Sequence, residues 1–474
     1  TNSLDRTARF LMMVRRINIS YSNTAGMQLP GYRPEVGDML GQKQGAVMAP
    51  GLAFAFGDVR RSFINDAADR SWLVMNTDNV NPAIINHADT WNIRATLEPI
   101  TGLKIDLNGS RVDTRTSDIY YMYDNMPEQM GGNFTMTTIA AKSFFKGTGN
   151  ANNGYASETF TKFLEYREKI ANRLIAKYST TSYPNSGFLE NSTLAGKAFS
   201  TDNGTVGINS TDVLIPAFLA AYTGQSPDKV GLTAFPSLSS LLPNWRITYD
   251  GLIRVPVFKR YLKSLMLTHQ YRCSYSVGSF SSDLNWLNAG NGLGFIQDTQ
   301  TGNPTPSSAY QIQSVNIVEG FNPLLGVDAT FLNNVTGTLS YNTTRNLSLS
   351  VSSYQIVEAL SKEIIVGMGY KMAEFNKVLK AKKSQGFSND LTVRLDFSYR
   401  KTQSLLRKIQ DQLTQATSGN VAKTIQFSAD YGVSRSLTLR AFYDLQINTP
   451  LVSSTAYPTS NSNYGVTLRF SLQR

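Results

Sequence analysis

One property constrains this chain more than any other. Apolar and polar residues alternate with a period of two, in one segment of about ten residues after another. Side chains of a β-strand point to opposite faces in turn, so each segment reads as a strand with one apolar and one polar face. Trp91, Ile93, Ala95 and Leu97 fall on one side, and Asn92, Arg94, Thr96 and Glu98 on the other. Pro99 to Gly102 reads as a turn, after which Leu103, Ile105 and Leu107 oppose Lys104, Asp106 and Asn108. The rhythm returns through Leu265, Leu267, His269, Tyr271, Cys273, Tyr275 and Val277, and again through Leu325, Val327, Ala329 and Phe331. Near the C-terminus Leu391, Val393, Leu395, Phe397 and Tyr399 oppose Thr392, Arg394, Asp396, Ser398 and Arg400. Leu437, Leu439, Ala441, Tyr443 and Leu445 form a further stripe, and Tyr464, Val466, Leu468 and Phe470 another.

Alternation alone fits a soluble sandwich and a membrane barrel alike. Three details favour the barrel. The segments are long: crossing a bilayer takes about 9–11 tilted residues, whereas soluble strands have about five or six. Full charges stand at mid-strand on the polar side, among them Arg94, Arg394, Asp396, Asp430 and Arg440; a hydrated lumen accepts these, while a lipid face penalises a cation by about 2–4 kcal/mol at the midplane. Tyr and Phe gather toward stripe ends, where an interfacial girdle lies. The expected lumen-facing wall is therefore Arg94, Thr392, Arg394, Asp396, Thr438, Arg440 and Asp444. The expected lipid-facing set is Leu391, Val393, Leu395, Phe397, Leu437 and Leu439. In lipid every backbone polar group must pair, so the strands must close on themselves or join strands from another segment.

Two features break the rhythm. Ser157 reads as a helix N-cap, followed by Phe160, Phe163, Leu164, Ile170, Leu174 and Ile175 at helical spacing. Thr211 to Tyr222, closed by Gly224, reads as a second helix, and Phe63 to Leu73 as a short third. The expected division is barrel strands over 1–144, a mixed α/β insertion over 145–243, and barrel strands from 244 to a closing strand at the C-terminus. The insertion's apolar helix faces need cover, either as an extracellular cap or by packing on the barrel.

Composition narrows the chemistry. Cys273 is the single cysteine and His87 and His269 the only histidines, so neither a disulfide framework nor a four-ligand zinc site can form. His269 and Cys273 lie on an apolar stripe and read as packing residues. No phosphate-binding glycine loop is present; no catalytic residue, metal or cofactor is expected. Asp118 and Asp124, flanking Tyr120, Tyr121 and Tyr123, read as a strand end or loop, with a Ca²⁺ site the lesser alternative. No run approaches 18 apolar residues; the longest, Val213 to Tyr222, contains Pro216. The balance of 45 Lys+Arg against 34 Asp+Glu gives a formal charge of +11, but the cations are scattered along polar strand faces, so nucleic acid is not an expected partner. Lys371, Lys377, Lys380, Lys382 and Lys383 read as a basic loop before the Leu391 strand, and Arg400, Lys401, Arg407 and Lys408 as a cluster after it. Both read as solvated loops at the membrane boundary, or as contacts to lipopolysaccharide phosphates or an acidic partner. Residue 1 is Thr, with no leader pattern behind it, so a processed or partial chain is expected.

The last strand, Tyr464-Gly-Val-Thr-Leu-Arg-Phe470, resembles the C-terminal signal read by the outer-membrane barrel assembly machinery, with Gly465, Leu468 and Phe470 at its key positions and Ser471 to Arg474 as an extension beyond it. Longer phrases carry a wider resemblance. Leu242-Pro-Asn-Trp-Arg-Ile-Thr-Tyr-Asp-Gly-Leu252, with Asn244, Trp245, Asp250 and Gly251, is one. Thr211-Asp-Val-Leu-Ile-Pro-Ala-Phe-Leu-Ala-Ala-Tyr-Thr-Gly224, with Asp212 and Pro216, is a second, and Asn389 to Arg400 a third. These are similar to the C-terminal portion of the SprA/Sov family, the outer-membrane translocons of the Bacteroidota type IX secretion system, from roughly residue 50 onward. The resemblance implies a very large antiparallel barrel in the outer membrane, conducting folded cargo proteins, of which this chain supplies the C-terminal part of the wall. It implies as partners the N-terminal part of the same translocon, a smaller PorV-like barrel protein at a lateral gate, a periplasmic plug and secreted cargo with a C-terminal signal domain. The alternatives are a nutrient transporter or porin-type barrel and, from another class, a secreted β-rich adhesin or structural protein.

Overall fold

The computed structural model describes residues 13–35, 50–57, 59–76, 81–123, 126–378, 389–434, 436–452 and 456–471. Its strands are β1 (Val14–Gln28), β2 (Ala83–Ile100), β3 (Leu103–Ile119), β4 (Glu128–Thr137), β5 (Asn244–Tyr249), β6 (Leu262–Ser282), β7 (Leu287–Gly290), β8 (Leu293–Gln297), β9 (Pro304–Pro306), β10 (Tyr310–Ile312), β11 (Ser314–Phe331), β12 (Val335–Ser350), β13 (Gln355–Met372), β14 (Leu391–Lys408), β15 (Thr414–Gly432), β16 (Leu437–Pro450) and β17 (Thr459–Phe470). Three helices matter to the argument: α1 (Arg61–Asp69), α2 (Glu158–Tyr178) and α3 (Thr211–Thr223).

Fourteen strands form one sheet, in the order β1-β2-β3-β4-β6-β11-β12-β13-β14-β15-β16-β17, with β5 and β10 beside that path. Every pairing is antiparallel, and most wall strands run 15 residues or more, as the long alternating segments predict. The two outermost strands, β1 and β17, each pair with one neighbour only among the described residues. The described strands therefore form an open wall, not a closed ring.

One track of the wall is made of two pieces. β4 pairs with β3 over Arg111–Ile119, while β5 pairs with β3 over Leu103–Asn108; β6 borders both. Between them the chain leaves the sheet after Thr137 and returns at Asn244, so the excursion starts earlier than residue 145. The break is sealed by hydrogen bonds. Ser110 N donates to Thr137 Oγ1 at 3.0 Å, and Cys273 N donates to Asn244 Oδ1 at 2.8 Å.

Inside this insertion the local signals act as expected. Ser157 caps α2, its Oγ accepting from Phe160 N at 3.3 Å. Gly224 ends α3 in the left-handed conformation. α3 is buried almost all round, so it is a core helix of the insertion, not an amphipathic surface one. Phe160, Phe163, Leu174 and Phe218 pack with Tyr271, Tyr275, Ile317 and Leu347 of the sheet in one cluster. A smaller cluster joins α1 to Ala83, Ile119 and Tyr121. No helix among the described residues is long and apolar enough to cross a membrane.

Candidate functional site

Residues directly opposed across an antiparallel pair share a face, so the register assigns the two faces without ambiguity. Leu395, Phe427 and Tyr443 with Tyr464 form a row on one side. One step along, Arg394, Ser428, Phe442 and Gly465 form a row on the other; so do Asp396, Gln426, Asp444 and Asn463, and Thr392, Asp430, Arg440 and Thr467. Thr438 joins that polar face opposite Arg469. The apolar face continues across the wall through Lys401, Lys362, Thr343, Phe321, Tyr271, Trp245, Leu107 and Ala95. Arg94, the neighbour of Ala95, consequently lies on the same polar face as Arg394, far across the sheet. Leu391, Val393, Leu395, Phe397, Leu437 and Leu439 share the opposite face.

The arginines on the polar face of β13–β16 are paired. Arg394 meets Asp396 at 2.7 Å, Arg400 meets Glu363 at 2.7 Å and Arg440 meets Asp430 at 3.8 Å. One aromatic ring, Phe442, also stands there. Gly465 lies directly opposite, and a Cβ at Gly465 would come within 3.0 Å of the ring. Gly465 is thus the room into which Phe442 packs. Of the C-terminal motif, Leu468 and Phe470 are exposed on the apolar face, and 472–474 lie outside the described residues.

The apolar face has two unlike halves. At the end carrying the C-terminus it is bare: Leu395 is 45% exposed, Met368 58% and Val466 70%. Leu391 to Tyr399, at about 3.3 Å per residue and a tilt of about 40°, project to roughly 20 Å, close to the ~25 Å apolar band of a membrane barrel. Phe375 and Tyr431 pack edge to face, 5.7 Å apart, at its lower rim. Immediately above Tyr399, Lys401 stands directly opposite Lys362, and Lys423 opposite Tyr399. All three lysines are exposed.

Beyond the lysines the insertion covers the same face. There Glu319, Arg345, Glu358 and Arg407 are buried in one network. Arg345 pairs with Glu319, and donates from Nη1 to Ser143 O at 3.1 Å and from Nη2 to Ser143 Oγ at 2.6 Å. Arg407 pairs with Glu358 at 2.8 Å and donates to Tyr155 O at 2.9 Å. Tyr271 OH donates to Glu319 at 3.0 Å and accepts from Ala140 N at 2.8 Å. Phe144 and Phe160 lie over the two guanidinium groups. Arg407, expected in a solvated cluster after the strand, is 0% exposed; it lies inside β14, and the cost of burying its charge is offset by Glu358 and the insertion's backbone. Arg400, Lys401 and Lys408 are also within β14. Lys371 and Lys377 lie at the opposite end of that strand, Lys371 2.9 Å from Asp390 and Lys377 beside Glu374. Lys380, Lys382 and Lys383 lie outside the described residues.

The other segments singled out in sequence have structural places. Asp250 N donates to Gly102 O at 3.0 Å, and Gly102, at φ 88°, leaves no space for a Cβ beside the Asp250 carboxylate. Gly251 likewise fits against the Tyr249 ring. Asp212 opens α3, and its carboxyl is pushed up to about 6 by burial, with the Ser308 hydroxyl and Lys177 pulling it back. Pro216 lacks an N–H, so the Asp212 carbonyl has no helical donor. His269 Nδ1 lies 2.7 Å from Leu324 O, stacked near Trp245, and Cys273 is buried and free. Asp118 sits at the end of β3, whereas Asp124 lies outside the described residues. Among the described residues no group of three metal-ligating side chains occurs.

The polar face also holds a concavity of about 570 Å³ where β2, β3, β5 and β6 meet at the broken track. Arg94, Arg246 and Arg272 line it, with Asn108, Asn244 and Gln270. Only Arg94 of the three arginines was legible as a wall residue; Arg246 falls within the family-like phrase at Leu242–Leu252, and Arg272 opposes nothing distinctive in sequence.

No protein-family model matches this chain, and no curated protein matches it in sequence. Among solved structures it is similar to OmpT (in-vitro folded), an outer membrane protein of Vibrio cholerae, at 10% identity over 81% of this chain and 89% of that one, with a TM-score of 0.20.

Proposed function

We propose that this chain is the C-terminal part of the wall of a very large outer-membrane barrel that conducts folded proteins, of the type IX secretion kind. The observation that carries the reading is the open wall. It has a bare apolar belt on one face, a mixed-charge face opposite, and two edges without a partner among the described residues. Lipid tolerates no unpaired sheet edge, so β1 and β17 require strands from elsewhere. In this reading they come from the N-terminal part of the same translocon. The mixed-charge face, with its paired arginines and carboxylates, is a hydrated lining that offers a passing folded protein little apolar surface to adhere to.

The layering along the strands orients the wall. The C-terminal end of β17 shares one end of the wall with the turns at Thr101–Gly102 and Leu332–Asn334, and the insertion lies toward the other, as turns and large outer segments do in outer-membrane barrels. The insertion then sits outside the cell, on the outer surface of the wall, above the belt. Lys362, Lys401 and Lys423 fall at the level of outer-leaflet phosphates. Two lysines directly opposed on adjacent strands repel one another, and lipopolysaccharide phosphates between them relieve that. A PorV-like barrel and a periplasmic plug complete the assembly as partners at the lateral opening and the lower mouth.

The test is native extraction of outer membranes in detergent, pull-down of this chain and mass spectrometry of what travels with it. Recovery with an N-terminal wall segment, a smaller barrel and a plug supports the reading. Recovery as a lone closed barrel returns the chain to the porin or nutrient-transporter class, and recovery without detergent removes it from the membrane.

A further inference from the structure

The wall's polar face treats its charges differently in two places. On β13–β16 arginines are matched by carboxylates within ion-pair distance. Around the broken track they are not. Arg94, Arg246 and Arg272 converge on the ~570 Å³ concavity, and none of them makes an ion pair among the described residues. The one carboxylate in the lining, Asp106, stands opposite Arg246 on the neighbouring strand and feels its charge, but its close contacts are Lys104 at 2.9 Å and Thr96 at 2.8 Å. Arg272 is steered by its neighbour: with the Gln270 amide presenting its oxygen, Arg272 Nη2 donates to it at 2.9 Å. Three guanidinium groups therefore face one hydrated hollow that holds a single carboxylate, itself in contact with Lys104.

Guanidinium groups bind planar anions through two parallel N–H bonds. We propose that this hollow is a docking subsite for the carboxylates of an acidic polypeptide segment. The occupant follows from place and size. The hollow opens on the face opposite the apolar belt, which lipid headgroups do not reach. Its volume admits one or two acidic side chains and not a folded domain. The exposed amide of Asn108 and the half-buried amide nitrogen of Asn244, whose oxygen is held by Cys273 N, add donors suited to backbone carbonyls beside those side chains. The assignment rests on reading this face as the hydrated lining, and it places a cation-rich spot at the breach where the chain leaves the wall.

The test uses the detergent-solubilised protein extracted from its own membrane. The probe is a fluorescein-labelled decaglutamate peptide, read by anisotropy, with decalysine as the opposite-sign control and inorganic phosphate as competitor. Decaglutamate binds and decalysine does not. The triple variant Arg94→Gln/Arg246→Gln/Arg272→Gln weakens binding at least about tenfold, a modest figure for three solvated charge contacts. Lys162→Gln, which removes a cation from the outer surface of α2, leaves it unchanged. A second measurement needs no variant: decaglutamate protects Arg94, Arg246 and Arg272 of the native protein from phenylglyoxal, as peptide mass spectrometry reads. An unchanged affinity in the triple variant, an equal loss in Lys162→Gln, or no protection overturns the proposal. Displacement by phosphate at a concentration equal to the peptide's makes this a free-anion site and overturns the polypeptide occupant. Specific peptide binding by a chain that purifies as a lone barrel leaves the subsite standing and removes only the transport reading.

Discussion

The lower and upper halves of the apolar face on β11–β14 make an instructive pair, because they belong to the same strands. Both read as apolar stripes, yet they meet different environments. Below the lysine row, Leu395 and Phe397 stand exposed and Leu391 and Val393 half-buried, with no charge among them. Above it, the stripes Val315-Ile317-Glu319-Phe321 and Leu405-Arg407 carry full charges and are buried. On the reading proposed above, the lower half faces lipid, which offers a charge nothing, and it carries none. A protein cover can supply partners atom by atom, so the upper half accepts charges. Four buried charges cost several kcal/mol each to desolvate, and the bonds to Ser143 O and Tyr155 O, with Ala140 N donating to the Tyr271 hydroxyl that holds Glu319, offset that cost only when the insertion sits in one register. The network specifies where the insertion docks; the apolar cluster around it supplies the adhesion, at about 1.5–3 kcal/mol for each large side chain fully buried.

The sharpest way to break this comparison is to remove one partner from the upper half. Arg407→Ala removes the close counter-ion of buried Glu358 and leaves it only Arg345, 4.0 Å away, at a cost of up to about 3–5 kcal/mol. Hydrogen exchange of α2 in the detergent-extracted protein should rise steeply, while the amides of β15–β17 keep their protection. An α2 as protected as in the wild type would mean that the network does not hold the insertion. The lower half gives the next largest effect. Leu395→Arg places a cation on the bare belt, expected to cost about 2–4 kcal/mol in vesicle-refolded protein. Lys401, on the same face of the same strand and just beyond Tyr399, is native. A Leu395→Arg variant as stable as Lys401→Arg would put the belt somewhere other than in lipid.

A smaller effect separates the two faces instead of the two halves. Gly465→Leu drives a side chain into the Phe442 ring on the polar side, where overpacking costs about 1–3 kcal/mol. The paired change Phe442→Ala with Gly465→Leu should recover much of it, as read by denaturant titration after refolding. No recovery would show that Gly465 serves something other than the ring.

Much of this was legible in the sequence, and what was not has a common cause. Period two identifies the faces, because it is a local property of every strand: Thr392, Arg394 and Asp396 separate from Leu391, Val393 and Leu395 without any tertiary information. Ser157 and Gly224 mark helix ends for the same reason, since a cap bonds within a turn. The height of a residue along a strand, and what covers it, are not local. Arg407 sits in Leu405-Leu-Arg-Lys-Ile409 and reads as part of a basic cluster, while the acid that makes it a core residue is 49 positions earlier. Arg246 and Arg272 meet only because β4 and β5 share one track of the wall, an arrangement that no spacing records. The insertion's boundary is obscured for a related reason: 138–144, the short stretch before it, is as apolar as a strand but packs beneath α3.

The smallest effect concerns the insertion alone and depends on pH. Asp212 is held near 6 in the folded insertion, against an ordinary value of 3.8, and burial is the cause. Between these two values the folded state keeps a proton that the unfolded chain has released. Stability due to this group is therefore present at low pH and falls as pH rises through about 4 to 6, the opposite of a salt-bridged carboxylate. Glu158, drawn down to about 2 by Lys146 and Lys162, acts with the other sign, but only below its ordinary value of 4.5. Of these two groups, only Asp212 titrates between 4.5 and 6. A shift of this size corresponds to at most about 3 kcal/mol, and the partial exposure of the side chain reduces it to roughly 1–2 kcal/mol. Asp212→Asn should protect α3 better than the wild type at pH 7 and should lose the further gain on acidification, after correction for intrinsic exchange rates. Equal pH dependence in both proteins would place the burial of Asp212 at no energetic cost, and the docking of α3 would then follow from the apolar cluster alone.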